Sequence, residues 1–333
     1  MKATTVLASL LACSTFNALA VTLPPEPVAR DDLFELTGLT LSISAPGILA
    51  NDSGTGVIVT SFFDPGSGTL NNVVTNGSFL YTPERGFAGV TTFDYFIVDE
   101  YDRQSSATVT IDTSTTLPRA RDDYYTLSGL TLDISAPGLL ANDSGGIGEV
   151  NVTSYFDPTS GTLNTVVTNG SFSYTPEYGF AGVASFSYST EDELGRSAMA
   201  NVFIDTAASI PVAFDDTFTV LSGGMLDILA PGLLANDRGG IGEVMVSSFF
   251  DPSSGTLDSV ITNGSFRYIA DPGFAGLATF QYFSIDELGR SSSAMVNINV
   301  LAVPEPGTWA MMLAGLAVTA GCAGCRRRKA THH

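Results

Sequence analysis

Polar and apolar residues alternate along much of this chain with a period of two. Phe172 and Tyr174 alternate with Ser171, Ser173 and Thr175, and Phe186 and Tyr188 alternate with Ser185, Ser187 and Ser189. That period puts successive side chains on opposite faces, so each run is a strand with one apolar and one hydroxylated face. Over 123–205 the pattern predicts seven strands, at 123–127, 130–135, 149–156, 162–167, 171–175, 184–190 and 197–205. Turn residues break the runs every ~8–12 residues, the rhythm of an all-β sandwich. Ser128-Gly129, Asn169-Gly170 and Leu194-Gly195 fall between consecutive runs and read as two-residue hairpin connections. For Asn-Gly the expectation is a type I′ turn, which needs positive φ at both positions. The aromatic faces are the expected core.

The alternating region is one unit written three times, a repeat that takes precedence over any local assignment. Asp31-Asp32, Asp122-Asp123 and Asp215-Asp216 open the units, and Ala45-Pro46-Gly47-Ile48-Leu49-Ala50-Asn51-Asp52 returns at 136–143 and 230–237. Each unit continues through Phe-Asp-Pro at 63–65, 156–158 or 250–252 and Asn-Gly-Ser-Phe at 76–79, 169–172 or 263–266. It closes after Gly-Phe-Ala-Gly at 86–89, 179–182 or 273–276. The period of 91–94 residues is too long for a solenoid repeat and close to the roughly 100 residues of an immunoglobulin-like sandwich. The predicted fold is therefore all-β, with three tandem sandwiches at 27–113, 118–206 and 211–301. The connectors 113–118 and 206–211 are short, polar to small and closed by Pro118 and Pro211. They should limit motion between domains without abolishing it.

The termini break the pattern. Lys2, an uncharged and mostly apolar run through Ala12, and Ala18-Leu19-Ala20 have the three-part design of a secretory signal peptide over 1–20, with the mature chain starting at Val21. Leu10-Leu11-Ala12-Cys13 also reads as a lipoprotein cleavage box. At the other end, the uncharged segment 308–325 precedes Arg326-Arg327-Arg328-Lys329. At about 1.5 Å per residue it is long enough to cross a thin bilayer core of roughly 27–30 Å as one transmembrane helix. The cations resist translocation, which puts the bulk of the protein on the far side of the membrane. Trp309 falls at the boundary, where an amphipathic ring is favoured.

Composition narrows the chemistry. All three cysteines, Cys13, Cys322 and Cys325, and both histidines, His332 and His333, lie in the terminal segments. The repeats therefore carry no disulfide, no histidine triad, no histidine zinc site and no cysteine nucleophile. Between the terminal segments stand 33 acidic against 9 basic residues. Such a surface argues against nucleic acid or anionic lipid as partner and favours divalent cations.

The tripartite tail at 303–329, with Pro304-Glu305-Pro306, Trp309, the apolar span and the arginine cluster, resembles the PEP-CTERM sorting signal of Gram-negative bacteria that make exopolysaccharide. That resemblance implies recognition by an exosortase, cleavage near the Pro-Glu-Pro, passage through the inner membrane, and delivery to the cell surface or extracellular matrix. The bland reading of the same tail is a plain membrane anchor. The repeats, through their opening Asp-Asp, Ala-Pro-Gly-x-Leu-Ala-Asn-Asp, Gly-Ser-Phe-x-Tyr and Gly-Phe-Ala-Gly motifs, resemble cadherin-like or bacterial Ig-like modules. These imply spacer or adhesive work, often with calcium, and surface glycans or exopolysaccharide as partners. Here Asn142-Asp143 runs into Ser144-Gly145-Gly146, without the further aspartates of the fuller pattern.

Calcium wants six to eight oxygens, many from carboxylates. The candidate ligands are Asp31, Asp32, Asn51, Asp52 and Asp99 with Glu100 in the first unit. Asp122, Asp123, Asn142, Asp143 and Asp192 with Glu193 serve in the second, and Asp215, Asp216, Asn236, Asp237 and Asp286 with Glu287 in the third. Competing with that role, Asn and Asp make turns by bonding their own backbone. Glu193 with Arg196, and Glu287 with Arg290, also flank Leu-Gly as cross-strand ion pairs. A glycoside hydrolase would need one acid and one base or nucleophile at a fixed separation. These acids recur in every unit, and no unit adds an acidic insertion or long loop to build a cleft. The expectation is a non-enzymatic exported protein. A sugar-binding adhesin is the alternative, with Tyr101 and Tyr178 as its faint signal. Asn-Gly-Ser at 76–78, 169–171 and 263–265 fits the glycosylation pattern, but the hairpin turns account for it.

Overall fold

The computed structural model describes residues 22–303 and Gly307. The expected signal peptide at 1–20, the Cys13 box, Pro304, Glu305, Pro306, Trp309, the 308–325 helix and Arg326, Arg327 and Arg328 lie outside the described residues. Among the described residues no helix is long and apolar enough to cross a membrane. The chain divides into two compact units. Of the described residues, one holds those through Leu117 together with Glu193–Arg196; the other holds Pro118–Asp192 and those from Ser197 to Val303.

The second repeat has seven strands in two sheets. Four form one sheet in the order Asn151–Tyr155, Val183–Glu191, Ser197–Asp205, Asp123–Thr126, and three form the other as Thr162–Val166, Phe172–Thr175, Leu132–Ile134. The first and third repeats carry the same seven strands in the same two sheets. Alternation sorts the side chains as expected. Phe172, Tyr174, Phe186 and Tyr188 are 0–3% exposed and join one core cluster with Val202 and Ile204. Phe172 meets Phe186 edge to face at 5.6 Å, a geometry that adds about 0.5–1.5 kcal/mol to burial alone. The third repeat builds its core from the matching Phe266, Tyr268, Phe280 and Tyr282.

Three turn expectations are corrected, Leu194-Gly195 because the last register pair is Glu191 with Ser197 and the connection is longer than two residues. Ser128-Gly129 does not join a hairpin: Asp123–Thr126 pairs in parallel with Ser197–Asp205, while Leu132–Ile134 pairs with Phe172–Thr175 in the other sheet. Crossing between the sheets lets Leu127 and Leu132, 1% and 8% exposed, both enter the core. Asn169-Gly170 does end a hairpin, but only the glycine has positive φ, at +86°. Gly170 N donates to Val167 O, and Val167 N donates to Ser171 O, both at 2.9 Å. The loop is a three-residue turn with a left-handed glycine and a bulge.

That glycine is fixed by a distant contact. A Cβ at Gly170 would lie 2.0 Å from Pro137 O, and one at Gly138 would lie 2.2 Å from Gly170 O. Leu139 N donates to Gly170 O at 2.9 Å. The Ala-Pro-Gly and Asn-Gly-Ser motifs are thus two halves of one backbone-to-backbone dock, which inserts the fully buried Leu139 into the core. The same dock recurs between Gly47 and Gly77 and between Gly232 and Gly264.

Candidate functional site

The opening aspartates divide their work. The first of each pair caps the parallel strands: Asp31, Asp122 and Asp215 accept from the backbone N–H of Thr108, Asn201 and Met295 at 2.8–2.9 Å. The second points inward, because period two sends its side chain to the core face. Asp123 and Asp216 are only 6% and 8% exposed.

The Asn-Asp at the end of the Ala-Pro-Gly segment closes over them. Asn51, Asn142 and Asn236 donate to the carbonyls of Asp31, Asp122 and Asp215 at 2.9–3.1 Å. Asp52, Asp143 and Asp237 accept from the N–H of Arg30, Arg121 and Phe214 at 2.8–2.9 Å. A buried tyrosine completes each cradle. The hydroxyls of Tyr95, Tyr188 and Tyr282 contact Asp52, Asp143 and Asp237 at 3.0, 3.3 and 2.8 Å. They also reach the carbonyls of Ile48, Leu139 and Leu233 at 2.7–3.0 Å.

The cradles leave buried oxygens without partners: Asp32 Oδ2 and Asn51 Oδ1, Asp123 Oδ2 and Asn142 Oδ1, and Asp216 Oδ2 and Asp237 Oδ2. Unpaired buried acceptors are costly, and their recurrence in three repeats marks them as built. Burial, then the charges of Asp237 and Asp215, pushes Asp216 up to about 7. Burial, the largest cause, brings Asp123 to about 6 against the lowering effect of the Tyr188 hydroxyl, with the charges of Asp143 and Asp122 adding to the rise. Burial and Asp52 do the same for Asp32. In the third repeat a cleft of about 490 Å³ is lined by Asp237, Arg238, Glu243 and Asn263. The cleft lined by Asp143 is about 90 Å³.

The remaining candidates go elsewhere. Asp286, 3% exposed, accepts from Leu288 N and Arg290 N with one oxygen and from Ile241 N with the other. The second oxygen also takes Arg290 Nε at 3.0 Å and Nη2 at 2.5 Å. Asp99 takes a matching Arg103 fork at 2.8 and 2.6 Å, and Asp192 accepts from Ile147 N. The arginine of the third repeat therefore pairs with Asp286, a correction to the expected Glu287–Arg290 pair. The short Asp side chain reaches the turn N–H groups and the guanidinium together. Burial works against the charge of Asp286, but the Arg290 hydrogen bonds hold its carboxyl below the usual carboxylate range.

These arginines also clasp a chain segment. Arg290 donates to Thr206 O at 2.5 Å and to Ser209 O at 3.1 Å. Arg103 donates to Pro24 O and Pro25 O, and Arg196, within the first unit, to Thr113 O and Thr116 O. The 206–211 connector is pinned by hydrogen bonds more firmly than its composition implied. The two flagged tyrosines are also engaged. Arg103 lies 5.3 Å from the Tyr101 ring centroid, and Tyr178, though 73% exposed, lies where a Cβ at Gly289 would come within 2.4 Å of its ring.

The donor set fits a hard cation in part. Each cradle offers two carboxylates, an amide oxygen and nearby carbonyls, but among the described residues no group of three or more His, Cys, Asp or Glu side chains gathers. A proton shared by the carboxylates would satisfy the same oxygens.

Family comparisons fit this architecture. The family model "Bacterial Ig domain" matches residues 24–112, 116–205 and 208–299, and the "PEP-CTERM protein-sorting motif" matches 302–329. No curated protein matches the chain. Among solved structures, Drosophila N-cadherin EC1-3 aligns at 13% identity over 83% of this chain and 99% of that one, with a TM-score of 0.27. Mouse cadherin-23 EC22-24 aligns at 12% identity over 84% and 99%, with a TM-score of 0.24.

Proposed function

The chain belongs to the bacterial Ig domain family and carries a PEP-CTERM sorting motif, and from this we propose that it is a non-enzymatic structural protein of the cell surface or exopolysaccharide matrix. The motif implies export to the cell envelope. In our reading an exosortase recognises the tail while the apolar segment holds the chain in the inner membrane, cuts near Pro304-Glu305-Pro306, and passes the three sandwiches outward. The observation that carries this is the pairing of a sorting motif with repeats whose recurring aspartates are spent on structure: strand capping, tyrosine cradles and arginine clasps. These aspartates recur in all three repeats, whereas a hydrolase needs one acid and one base or nucleophile at a single site. Mechanism then means reach and repeated weak contact along a polymer.

The intact mass of the protein from cell surface and medium tests it. We expect a chain from Val21 to between Pro304 and Pro306, with or without added glycan. A mass that keeps Arg326–Arg328 would remove exosortase processing and leave a membrane-anchored array.

A second reading, an adhesin with calcium-stabilised repeats, is favoured by the orphaned oxygens. Asp32, Asn51 and Asp52, Asp123, Asn142 and Asp143, and Asp216, Asn236 and Asp237 would hold the ion, which would neutralise carboxylates that repel one another. Asp31, Asp122 and Asp215 would support it from the strand cap. Asp99 and Asp286 are already committed to arginine.

A further inference from the structure

The larger sheet of the second repeat turns an aromatic pair to solvent. Tyr124 and Phe203 are register partners on the parallel strands, and their rings stack at 5.2 Å between centroids and 18° between planes. Tyr124 is 75% exposed, and Met199 on the same face is 61% exposed. The exposed Tyr124 ring, stacked on the half-buried Phe203, serves no core. Nor does the fold require them, because the same row reads Leu33, Thr110, Thr92 in the first repeat and Thr217, Asn297, Thr279 in the third.

Around the rings the face is polar and ordered. Ser185 stands in register beside Phe203. In the next row Ser187 Oγ donates to Asn201 Oδ1 at 2.8 Å, and Asn201 Nδ2 lies 3.3 Å from Asp122 Oδ1. No Lys or Arg occupies an outward position of these three strands, while Asp122 and Asp205 add negative charge nearby. An aromatic face is electron-rich and receives the apolar C–H face of a sugar ring. Hydroxyl and amide groups beside it suit ring hydroxyls, and the local charge repels a polyanion. The interleaved serines also make the face a poor hydrophobic interface for a second copy, which needs a continuous apolar centre.

We propose that this face binds a neutral polysaccharide, with the outer face of Tyr124, backed by Phe203, as the stacking surface and Ser185, Ser187 and Asn201 as polar contacts. The proposal deepens the surface-protein reading and rests on it only for where the polymer is met. Affinity electrophoresis of the full chain tests it, in gels holding hydroxyethylcellulose, xyloglucan, galactomannan, or the polyanions alginate and polygalacturonate.

We expect at least one neutral gel to retard the chain and the polyanion gels not to. Tyr124→Ala should weaken that retardation about tenfold, the value of one aromatic contact, and Tyr124→Phe should keep it. Tyr178→Ala should change nothing. Installing the pair in the third repeat, Thr217→Tyr with Asn297→Phe, should strengthen it. Circular dichroism confirms that each variant is folded. Passage through every neutral gel, retardation by the polyanions alone, or retardation indifferent to Tyr124→Ala overturns the proposal. So does a chain that self-associates in sedimentation and becomes monomeric with Tyr124→Ala, which would assign the face to a second copy. None of these outcomes bears on the C-terminal mass, so the two readings fail separately.

Discussion

Asp216 and Asp286 lie in one repeat, are 8% and 3% exposed, and behave in opposite ways. Asp216 faces Asp237 and Asp215, and its carboxyl is pushed up to about 7. Asp286 is held by the Arg290 fork and turn N–H groups, and its carboxyl is held down. Burial alone favours the neutral form of both, so the difference comes from partners. The arginine clasp is a satisfied ion pair that makes a turn and a connector rigid. The carboxylate cradle stores repulsion that a proton or a cation would relieve. One repeat therefore contains a site that is complete and a site that is short of positive charge.

The largest effect is expected from breaking the complete site. Arg290→Ala leaves Asp286 charged and buried and removes the donors to Thr206 and Ser209 carbonyls. Loss of one partner from a buried pair costs about 3–5 kcal/mol, to be read from urea unfolding of the full chain. Removing both members with Arg290→Met and Asp286→Leu should cost less than Arg290→Ala alone, since no buried charge is then stranded. Glu287→Gln should stay within about 0.5 kcal/mol, as for an ordinary surface change. A Glu287 effect as large as that of Arg290 would mean that the wrong acid has been assigned to the clasp.

The incomplete site should respond in the opposite direction. A carboxyl raised in the folded state contributes stability that is fully present below its unfolded value of about 3.9 and is lost as pH rises through about 7. A lowered carboxyl such as Asp286 contributes above about 3.9 and is lost on further acidification. Stability should therefore peak on the acid side of neutrality. Asp216→Asn, neutral at every pH, should lessen the fall between pH 4 and 7, with Asp32 and Asp123 keeping their share, and stabilise the chain at pH 8 by on the order of 2 kcal/mol. Unfolding at pH 5 and 8, with EDTA and with calcium, reads this out. If calcium restores the wild type at pH 8 and stabilises Asp216→Asn less, through its two intact cradles alone, the third cradle is filled by a cation. If calcium does nothing, the proton is its only occupant. A Tyr282→Phe variant that abolished the pH effect would shift the cause from the aspartate pair to the phenol.

Much of this was legible in the sequence because it is local. Period two named the seven strands and their core faces, and the threefold repeat announced three Ig-like modules. Most of the failures are non-local. Ser128-Gly129 looks like a hairpin turn until Leu127 and Leu132 must both be buried from different sheets. Asn169-Gly170 looks like a type I′ turn until Pro137 O, more than thirty residues away, demands the glycine. Glu287 is the better-spaced partner for Arg290 in a hairpin, yet Asp286 is short enough to bond the turn and the guanidinium at once. Tyr124 and Phe203 meet only because the first and last strands pair in parallel, a pairing that no alternation pattern announces. The acids of the calcium reading were found by recurrence, which could not say which would be committed to arginine.

The smallest expected effect tests the clasp where it is imperfect. In the second and third repeats the turn beside the arginine places Gly195 and Gly289 at φ +79°, whereas the first repeat has Asp102 there at φ +58°. The turn hydrogen bonds survive: Asp99 N donates to Arg103 O, and Asp102 N donates to Asp99 O, both at 3.1 Å. A left-handed conformation costs a side-chain-bearing residue roughly 1–2 kcal/mol, less for Asp, and Asp102→Gly removes that cost. Glycine also loosens the unfolded chain, which returns about 0.4–1 kcal/mol. The net gain should be positive and below about 1 kcal/mol, measured as the urea midpoint of the full chain. The reverse change, Gly289→Asp, must strain the same backbone and also place a Cβ 2.4 Å from the Tyr178 ring. It should therefore destabilise by more than Asp102→Gly stabilises. Equal and opposite effects would mean that φ alone sets the cost and that Tyr178 yields freely to the new side chain.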